Sequence, residues 1–380
     1  MTAPLPATTP RAAPVLVPHG ALVRFVAAVL ERHGLASERA AMAADALCYG
    51  DLTGMDSHGV ANLTRLYLPL VRERRTDLAA DLEIVTDSGA AVLIDAHRAL
   101  GLWAAAEAME LAVERASRFG VGVVSVAGAT HFGCAGYHAG RAVAHDMVGI
   151  VASNCGGQRI ARPPGGRSAL LGTNPLSVAA PAADGHPYVL DMSTTAAPTG
   201  RIRAAARAGR SIPEGWLVDD AGGPVTDPGA FDRGTAHLAW LGGRPETGGY
   251  KGYGLGLMVE LLAAVASGAA CGPSPRALQG DGRPGGRDDD IGYFVLALAP
   301  GALRGAGAFR ADAAAMFGAL LACPPATPGE QVRYPGWLEA ERAALRRRTG
   351  VPLPAALEAE LSSLADELGI PWPPGSGAEA

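Results

Sequence analysis

The chain has 380 residues, 48% of them hydrophobic but only 5% aromatic, and carries a formal charge of −5. That length suits one large domain or two, with a sizeable core built mostly from Ala, Val and Leu. The negative balance, with arginines scattered along the chain, excludes a polyanion-binding stripe, so nucleic acid is not an expected partner.

No run reaches the roughly 18 apolar residues of a membrane span, so no membrane partner is expected. Residues 1–18 are rich in Pro, Ala and Thr and lack the basic and apolar regions of a secretory signal; they read as a disordered tail. Cys48, Cys134, Cys155, Cys271 and Cys323 are odd in number, widely spaced and free of any C-x-x-C pair. Reduced thiols in the cytoplasm fit them better than a disulfide framework or a zinc ribbon.

Along residues 21–51 the apolar side chains recur at helical spacing, through Leu22, Phe25, Val29 and Leu30 and then Ala41, Ala44 and Leu47. Gly34 separates two helices there, and Ser37 is placed to cap the second. The segment Asp56-Ser57-His58-Gly59-Val60 follows directly. Ala91-Val92-Leu93-Ile94 predicts a short strand, residues 103–119 a helix closed by Gly120, and residues 121–126 another strand. Next come Thr130-His131-Phe132-Gly133-Cys134-Ala135-Gly136, a helix-like stretch to His145 and a strand over 148–152. Residues 176–180 and 188–190 predict a hairpin, 212–228 a loop, 253–267 a helix, and 273–290 a polar loop that is either mobile or a lid. A final strand is expected at 291–298, with helices at 313–321, 338–347 and 355–368. Helical ends around a mixed centre predict a helical domain from residues 19–85 and 300–372, a central α/β domain at 86–299, and a tail at 373–380.

Two histidines in turn-forming, small-residue surroundings, His58 and His131, are a candidate proton-transfer apparatus, because imidazole changes charge near neutrality. Ser57 can hold His58 in one tautomer. No third ligand clusters with them, so no metal is expected. The G-x-G-x-x-G spacing of a Rossmann nucleotide site is absent. Its nearest substitute is the stretch from Thr130 to Gly140: Thr130 could cap a helix whose free amides face a pyrophosphate, or the glycines serve only close helix packing. Gly172-Thr173-Asn174-Pro175 and Asp191-Met192-Ser193-Thr194-Thr195 offer donors for a carboxylate or ribose, or are ordinary turns. Lys251 stands immediately before a predicted helix, where its charge is repelled unless an anion lies between.

These segments, in this order, resemble the malate/L-lactate dehydrogenase family of the second type, which includes sulfolactate and ureidoglycolate dehydrogenases and cyclic imino-acid reductases. The likeness spans residues 17–370. It rests on Gly54-Met55-Asp56-Ser57-His58-Gly59-Val60, Thr130-His131-Phe132-Gly133, Leu171-Gly172-Thr173-Asn174-Pro175, Leu190-Asp191-Met192-Ser193-Thr194, Ile212-Pro213-Glu214-Gly215-Trp216 with Thr226-Asp227-Pro228, Lys251-Gly252-Tyr253-Gly254-Leu255, and Tyr334-Pro335-Gly336. The resemblance implies a homodimeric NAD- or NADP-dependent oxidoreductase of a small carboxylate substrate. It implies an α/β (mixed α+β) fold: a non-Rossmann dinucleotide domain with a mixed, largely antiparallel sheet, inserted in a helical domain made from both termini.

Carried over by position, His58 with Ser57 corresponds to the proton donor of the imino-acid reductases, and His131 to the proton acceptor of the ureidoglycolate enzymes. The resemblance places Thr173 on the substrate, and Phe132, Gly133, Asn154, Asp191, Met192, Ser193, Lys251, Pro335 and Gly336 on the cofactor. Three positions depart from the family pattern. Asn62 stands where many members have a substrate-binding arginine, with Arg65 one turn further on as its replacement. Arg201 stands where some imino-acid reductases have a relay aspartate, and is counted with the substrate residues. Trp337 stands where an acidic residue follows the Pro-Gly pair.

Overall fold

The structure, a computed structural model, describes residues 13–183, 185–279 and 282–373. Its centre is a seven-stranded sheet. The strands of the chain, in order, are β1 (Val15–Val17), β2 (Glu83–Asp87), β3 (Ala91–Asp95), β4 (Val121–Ala129), β5 (Val148–Ser153), β6 (Leu176–Ala183), β7 (His186–Met192), β8 (Leu217–Val218), β9 (Pro224–Val225), β10 (His237–Leu238), β11 (Ile291–Leu298) and β12 (Val351–Leu353). The large sheet runs β2-β3-β4-β11-β5-β6-β7. Only β3 and β4 are parallel; every other neighbouring pair is antiparallel. The expected mixed, largely antiparallel sheet is thus what the chain forms.

The helices are α1 (His19–Arg32), α2 (Ser37–Thr53), α3 (Leu68–Arg72), α4 (Gly101–Phe119), α5 (Ala135–Arg141), α6 (Thr199–Arg207), α7 (Gly229–Asp232), α8 (Gly249–Val259), α9 (Gly301–Arg304), α10 (Ala306–Leu321), α11 (Trp337–Thr349) and α12 (Ala355–Leu368). A parallel strand pair needs a crossover, and α4 supplies it between β3 and β4. Leu102, Met109, Ala112 and Ala116 are buried on one side of it, and Trp103 is buried on the other, under Arg39 of α2. Contact is so close that a Cβ on Gly122 of β4 would collide with the Ala112 carbonyl, which only glycine allows. The largest apolar cluster runs continuously from this layer into α1, α2 and α12. Burying each such Leu or Met contributes roughly 1.5–3 kcal/mol, so this shared core holds the chain ends against the sheet.

Several expectations are corrected here. The tail expected over 1–18 ends earlier, because Val15–Val17 pairs antiparallel with Val351–Leu353; residues 1–12 and 374–380 lie outside the described residues. The strand at 291–298 is last neither in sequence nor at an edge. β11 inserts between β4 and β5, a pairing across more than 130 residues that local sequence does not record. Ser37 is the first residue of α2 and makes no side-chain cap bond. The loop expected over 212–228 carries β8 and β9, which join β10 in a small three-stranded sheet. Within the stretch expected to join the helical ends, α10 instead lies on β6, with Phe317 against Tyr188 at 5.7 Å and Tyr334 at 4.5 Å.

Candidate active site

The two histidine segments meet. α2 ends at Thr53, Gly54 turns the chain with φ +89°, and a single tight turn, Asp56–His58, presents Ser57 and His58. The turn is held on α2 because the Val60 amide donates to the Asp51 carboxylate at 2.6 Å. Burial pushes the Asp51 carboxyl up to about 7, against the pull of that bond. His131 arrives from the other side, two residues beyond the end of β4, and its ring stacks on His58 with centroids 5.8 Å apart and planes 23° from parallel. The contact joins positions 73 residues apart in the chain.

Each imidazole has an oriented partner. Ser57 Oγ lies 2.9 Å from His58 Nδ1. His131 Nδ1 receives the Gly133 amide at 3.1 Å and lies 2.9 Å from the Tyr67 hydroxyl. Tyr67 is fully buried. It projects from the wide π-helical turn Leu63–Tyr67, and sequence reasoning missed it. The usable signal was a phenol inside the apolar run Leu66-Tyr67-Leu68, since a buried hydroxyl needs a partner. Burial, and the neighbouring His58, hold His131 down to about 4; burial also lowers His58. Both rings are therefore neutral at pH 7. His138, buried in α5, is likewise held down to about 4; its Nε2 donates to the Phe132 carbonyl at 2.9 Å, and its Nδ1 has no hydrogen-bond partner among the described residues.

The other expected site residues divide into those at this cleft and those turned away. Asn62 bonds the Ser57 carbonyl at 3.0 Å, beside the pair. Arg65 instead reaches Glu360 of α12 at 3.8 Å. Gly200, at the start of α6, lies against Ser57, and the exposed Arg201 follows it in the chain. Thr173 is tied to the Asp191-Met192-Ser193-Thr194 segment, its carbonyl accepting both the amide and the hydroxyl of Thr194 at 3.0 Å. Ser193 Oγ donates to the Thr195 carbonyl at 3.0 Å, while Met192 is half-buried beside it. The Thr194 carbonyl accepts the Leu241 amide, and the Leu241 carbonyl accepts that of Gly252, so Lys251 belongs to the same backbone chain. Lys251 lies in the first turn of α8 rather than before it.

Three positions differ from the roles expected of them. Thr130 does not cap α5, which starts five residues later. It accepts the Gly101 amide at 2.9 Å, satisfying the first turn of α4 instead. The α5 amides do not face an open anion site: Gly136 donates to Asp191 Oδ2 at 2.7 Å, and a pyrophosphate there would meet a carboxylate. Asn154 is buried with both ends of its amide engaged, Nδ2 by Glu260 and the Ala270 carbonyl and Oδ1 by the amides of Gly156 and Gly292. Its side chain is scaffold. Phe132 is core as well, edge-on to Tyr293 at 4.9 Å.

Pro335 and Gly336 dock on β7, where the Pro335 carbonyl accepts the Val189 amide at 3.1 Å. Trp337 stacks on His186 at 3.9 Å, which gives this departure a packing role. The 273–290 loop is tethered: Arg75 grips Asp288 at 2.5 Å and Asp289 at 2.6 Å, and Arg159 pairs with Gly285. Among the described residues no three His, Cys, Asp or Glu side chains are grouped to hold a metal.

A dinucleotide fits what remains. Asp191 spends Oδ2 on Gly136 and has no hydrogen bond at Oδ1 among the described residues, and burial lifts its carboxyl to about 6. That leaves an acceptor for a ribose hydroxyl. Lys251 is exposed, with only the Tyr250 ring, 5.9 Å away, as a partner among the described residues, which suits a phosphate.

Such a site, on a sheet without the Rossmann winding, defines a nicotinamide-dependent dehydrogenase acting on the CH–OH group of a hydroxy acid, with NAD or NADP as cofactor. Residues 17–362 match the family model of malate/L-lactate dehydrogenases, and the chain belongs to that family. It is 37% identical over 255 residues to a malate dehydrogenase of Pyrococcus abyssi, covering 67% of this chain and 69% of that one. It is 33% identical over 324 residues to a (2R)-3-sulfolactate dehydrogenase (NADP(+)) of Chromohalobacter salexigens, covering 85% and 89%. The crystal structure of malate dehydrogenase from Entamoeba histolytica superposes with a TM-score of 0.86 at 27% identity, over 94% of this chain and 99% of that one. No helix among the described residues is long and apolar enough to cross a membrane.

Proposed function

We propose that the cleft between Ser57-His58 and His131 interconverts a small 2-hydroxy acid and its 2-oxo acid. The observation that carries this reading is the stacked pair of neutral imidazoles, His58 and His131, at 5.8 Å. Two uncharged rings at the mouth of one cleft can orient a hydroxyl and take its proton, help worth about 10²- to 10⁴-fold in rate. When bound, the nicotinamide supplies the hydride acceptor or donor. Asp191, with the neighbouring Met192 and Ser193, and Lys251 would hold the dinucleotide, and the dock at Pro335 and Gly336 fixes the wall beside Asp191.

Malate and sulfolactate, on which the two relatives act, each carry a second anionic group, and a dianionic substrate is the reading proposed for this chain too. With Arg65 drawn to Glu360, the exposed Arg201, next in the chain to the Gly200 that lies against Ser57, is the cation proposed to meet it, while Asn62 and Thr173 offer neutral donors. Fluorescence titration with NADH and NADPH, followed by a panel of lactate, malate, sulfolactate, ureidoglycolate and a cyclic imino acid, tests the reading. Turnover of malate or sulfolactate with a raised KM in Arg201→Ala is expected. Binding without turnover would make the chain a dinucleotide-binding relative without catalysis, and turnover of the imino acid alone would make it a reductase of that class.

The chain is proposed to act as a cytoplasmic homodimer. Support comes from one face of α8 and the turn after it, where Tyr250, Met258, Leu261 and Val265 are exposed, Leu261 to 60%. Light scattering should give a dimer that Leu261→Glu splits; a monomeric wild type would refute it.

A further inference from the structure

We infer that Tyr67 and the Gly133 amide fix His131 as the neutral tautomer with its proton on Nε2, so that His131 donates a hydrogen bond to the substrate's C2 oxygen and His58 alone moves the proton. This rests on the functional reading above and divides its labour. The argument begins with a group that cannot reverse its role. A backbone N–H only donates, and the Gly133 amide points at His131 Nδ1 from 3.1 Å. A proton on that nitrogen would face the amide hydrogen directly. Nδ1 is therefore bare, and the Tyr67 hydroxyl, 2.9 Å from the same atom, donates to it as well.

With Nδ1 turned inward and occupied, the accessible edge of the ring is Nε2, which has no hydrogen-bond partner among the described residues. In the neutral ring that nitrogen carries the hydrogen. It has no lone pair with which to take a proton from a hydroxyl. Giving its hydrogen away would require Tyr67 to refill Nδ1, leaving a phenolate fully buried, and burial pushes the Tyr67 phenol well above its ordinary range. Two titratable groups act on this ring. His58 disfavours a charge on it, while Asp288, itself gripped by Arg75, favours one; burial outweighs both and holds the ring down to about 4. A neutral donor aimed at an oxygen that gains negative charge acts as an oxyanion stabiliser.

His58 has the complementary arrangement. Its Nδ1 is 2.9 Å from Ser57 Oγ, an exposed hydroxyl free to accept from it, which leaves the Nε2 lone pair to receive a proton. In the oxidation direction the C2–H bond breaks with its electron pair leaving as hydride to the oxidised dinucleotide. The electrons of the O–H bond become the second C–O bond, and the proton passes to His58 Nε2. His131 holds the oxygen throughout and changes no proton.

The test reads the tautomer without substrate. Two-bond ¹H–¹⁵N correlation spectra of imidazole-labelled protein, assigned with His131→Gln, should show His131 protonated at Nε2 and not titrating between about pH 5 and 8. In activity, His131→Ala should lose about 10²- to 10³-fold in kcat, the cost of one oxyanion donor. His131→Gln should recover most of that loss, because a glutamine amide still donates from nearly the Nε2 position. His58→Gln should lose about 10²- to 10⁴-fold. An Nδ1-protonated His131, a His131 that titrates near neutrality, or a glutamine variant as slow as the alanine one overturns the inference. Absence of wild-type turnover across the panel is a different failure, that of the functional reading, and leaves the measured tautomer standing.

Discussion

Gly59 leaves no room for a Cβ, because the Asp51 carboxylate fills that space while it accepts the Val60 amide. The backbone next to His58 is thus keyed to a buried side chain in the last turn of α2. Gly59→Ala must push the carboxylate or the turn aside and strain the 2.6 Å bond. A displacement of about 1 Å at a reacting group can cost about 10²-fold, so kcat should fall by that order while the dinucleotide Kd stays near wild type. Asp51→Asn keeps an acceptor for Val60 and should retain far more activity than Asp51→Ala. Equal losses in the two Asp51 variants would show that the bond to Val60 is not what positions His58.

The same carboxylate sets a pH dependence of stability. Folded Asp51 takes up its proton below about 7, whereas an unfolded aspartate does so only near 4. Between those values the folded state binds more protons, so this group's contribution falls as pH rises through the window. His131 and His138, held down to about 4, act in the opposite sense: their contribution is present above about 6.5 and is lost as pH falls towards 4. Asp56 raises Asp51 further, while Val60 and Arg346 pull it down. Asp51→Asn removes only the first effect. The unfolding free energy of the variant relative to wild type should therefore rise between about pH 5 and 8 by a few kcal/mol at most. A difference that stays flat across that range in urea unfolding would contradict the raised carboxyl.

Much of this site was legible because its chemistry is local. A histidine after Asp-Ser and another after Ala-Thr stand out in any window, and strands such as Ile291–Leu298 announce themselves by apolar runs. What stayed hidden depends on pairing across the chain. Tyr67 looks like one more apolar position until the fold puts it on His131, 64 residues on. Val15–Val17, in a proline-rich start, becomes a strand only because residues 351–353 lie beside it. Thr130 has the sequence setting of a local cap, yet the amide it satisfies belongs to Gly101. Glu260 did leave a signal that went unused: a single carboxylate in the apolar run Leu257-Met258-Val259-Glu260-Leu261-Leu262 implies buried donors.

Those donors make a further prediction. Glu260 accepts Asn174 Nδ2 at 2.7 Å, the Gly272 amide at 2.8 Å and Asn154 Nδ2 at 3.2 Å, and it is only 3% exposed. Glu260→Gln turns one acceptor into an NH₂ facing a donor, a mismatch costing about 1–3 kcal/mol. Asn174 follows Thr173, so the loss should appear both as a lower midpoint in urea and as a raised substrate KM. A variant as stable as wild type would mean the hub contributes nothing net.

Lys251 makes the last prediction sharp, because of the 32 lysines and arginines in the chain it alone is a lysine. Its ammonium sits in the first turn of α8, where the exposed amides already carry partial positive charge. No carboxylate among the described residues pairs with it. Without ligand that placement is unfavourable by about 0.3–1 kcal/mol, and a bound phosphate reverses the sign through a charge-assisted bond worth about 1.5–3 kcal/mol. Lys251→Ala should thus leave the unliganded protein slightly more stable while weakening NADH or NADPH by tenfold or more. An amine-selective reagent offers a second check, since Lys251 and the α-amino group are its only targets, and bound dinucleotide should protect the former. Unchanged affinity in Lys251→Ala, or labelling that ignores the dinucleotide, would remove Lys251 from the cofactor site.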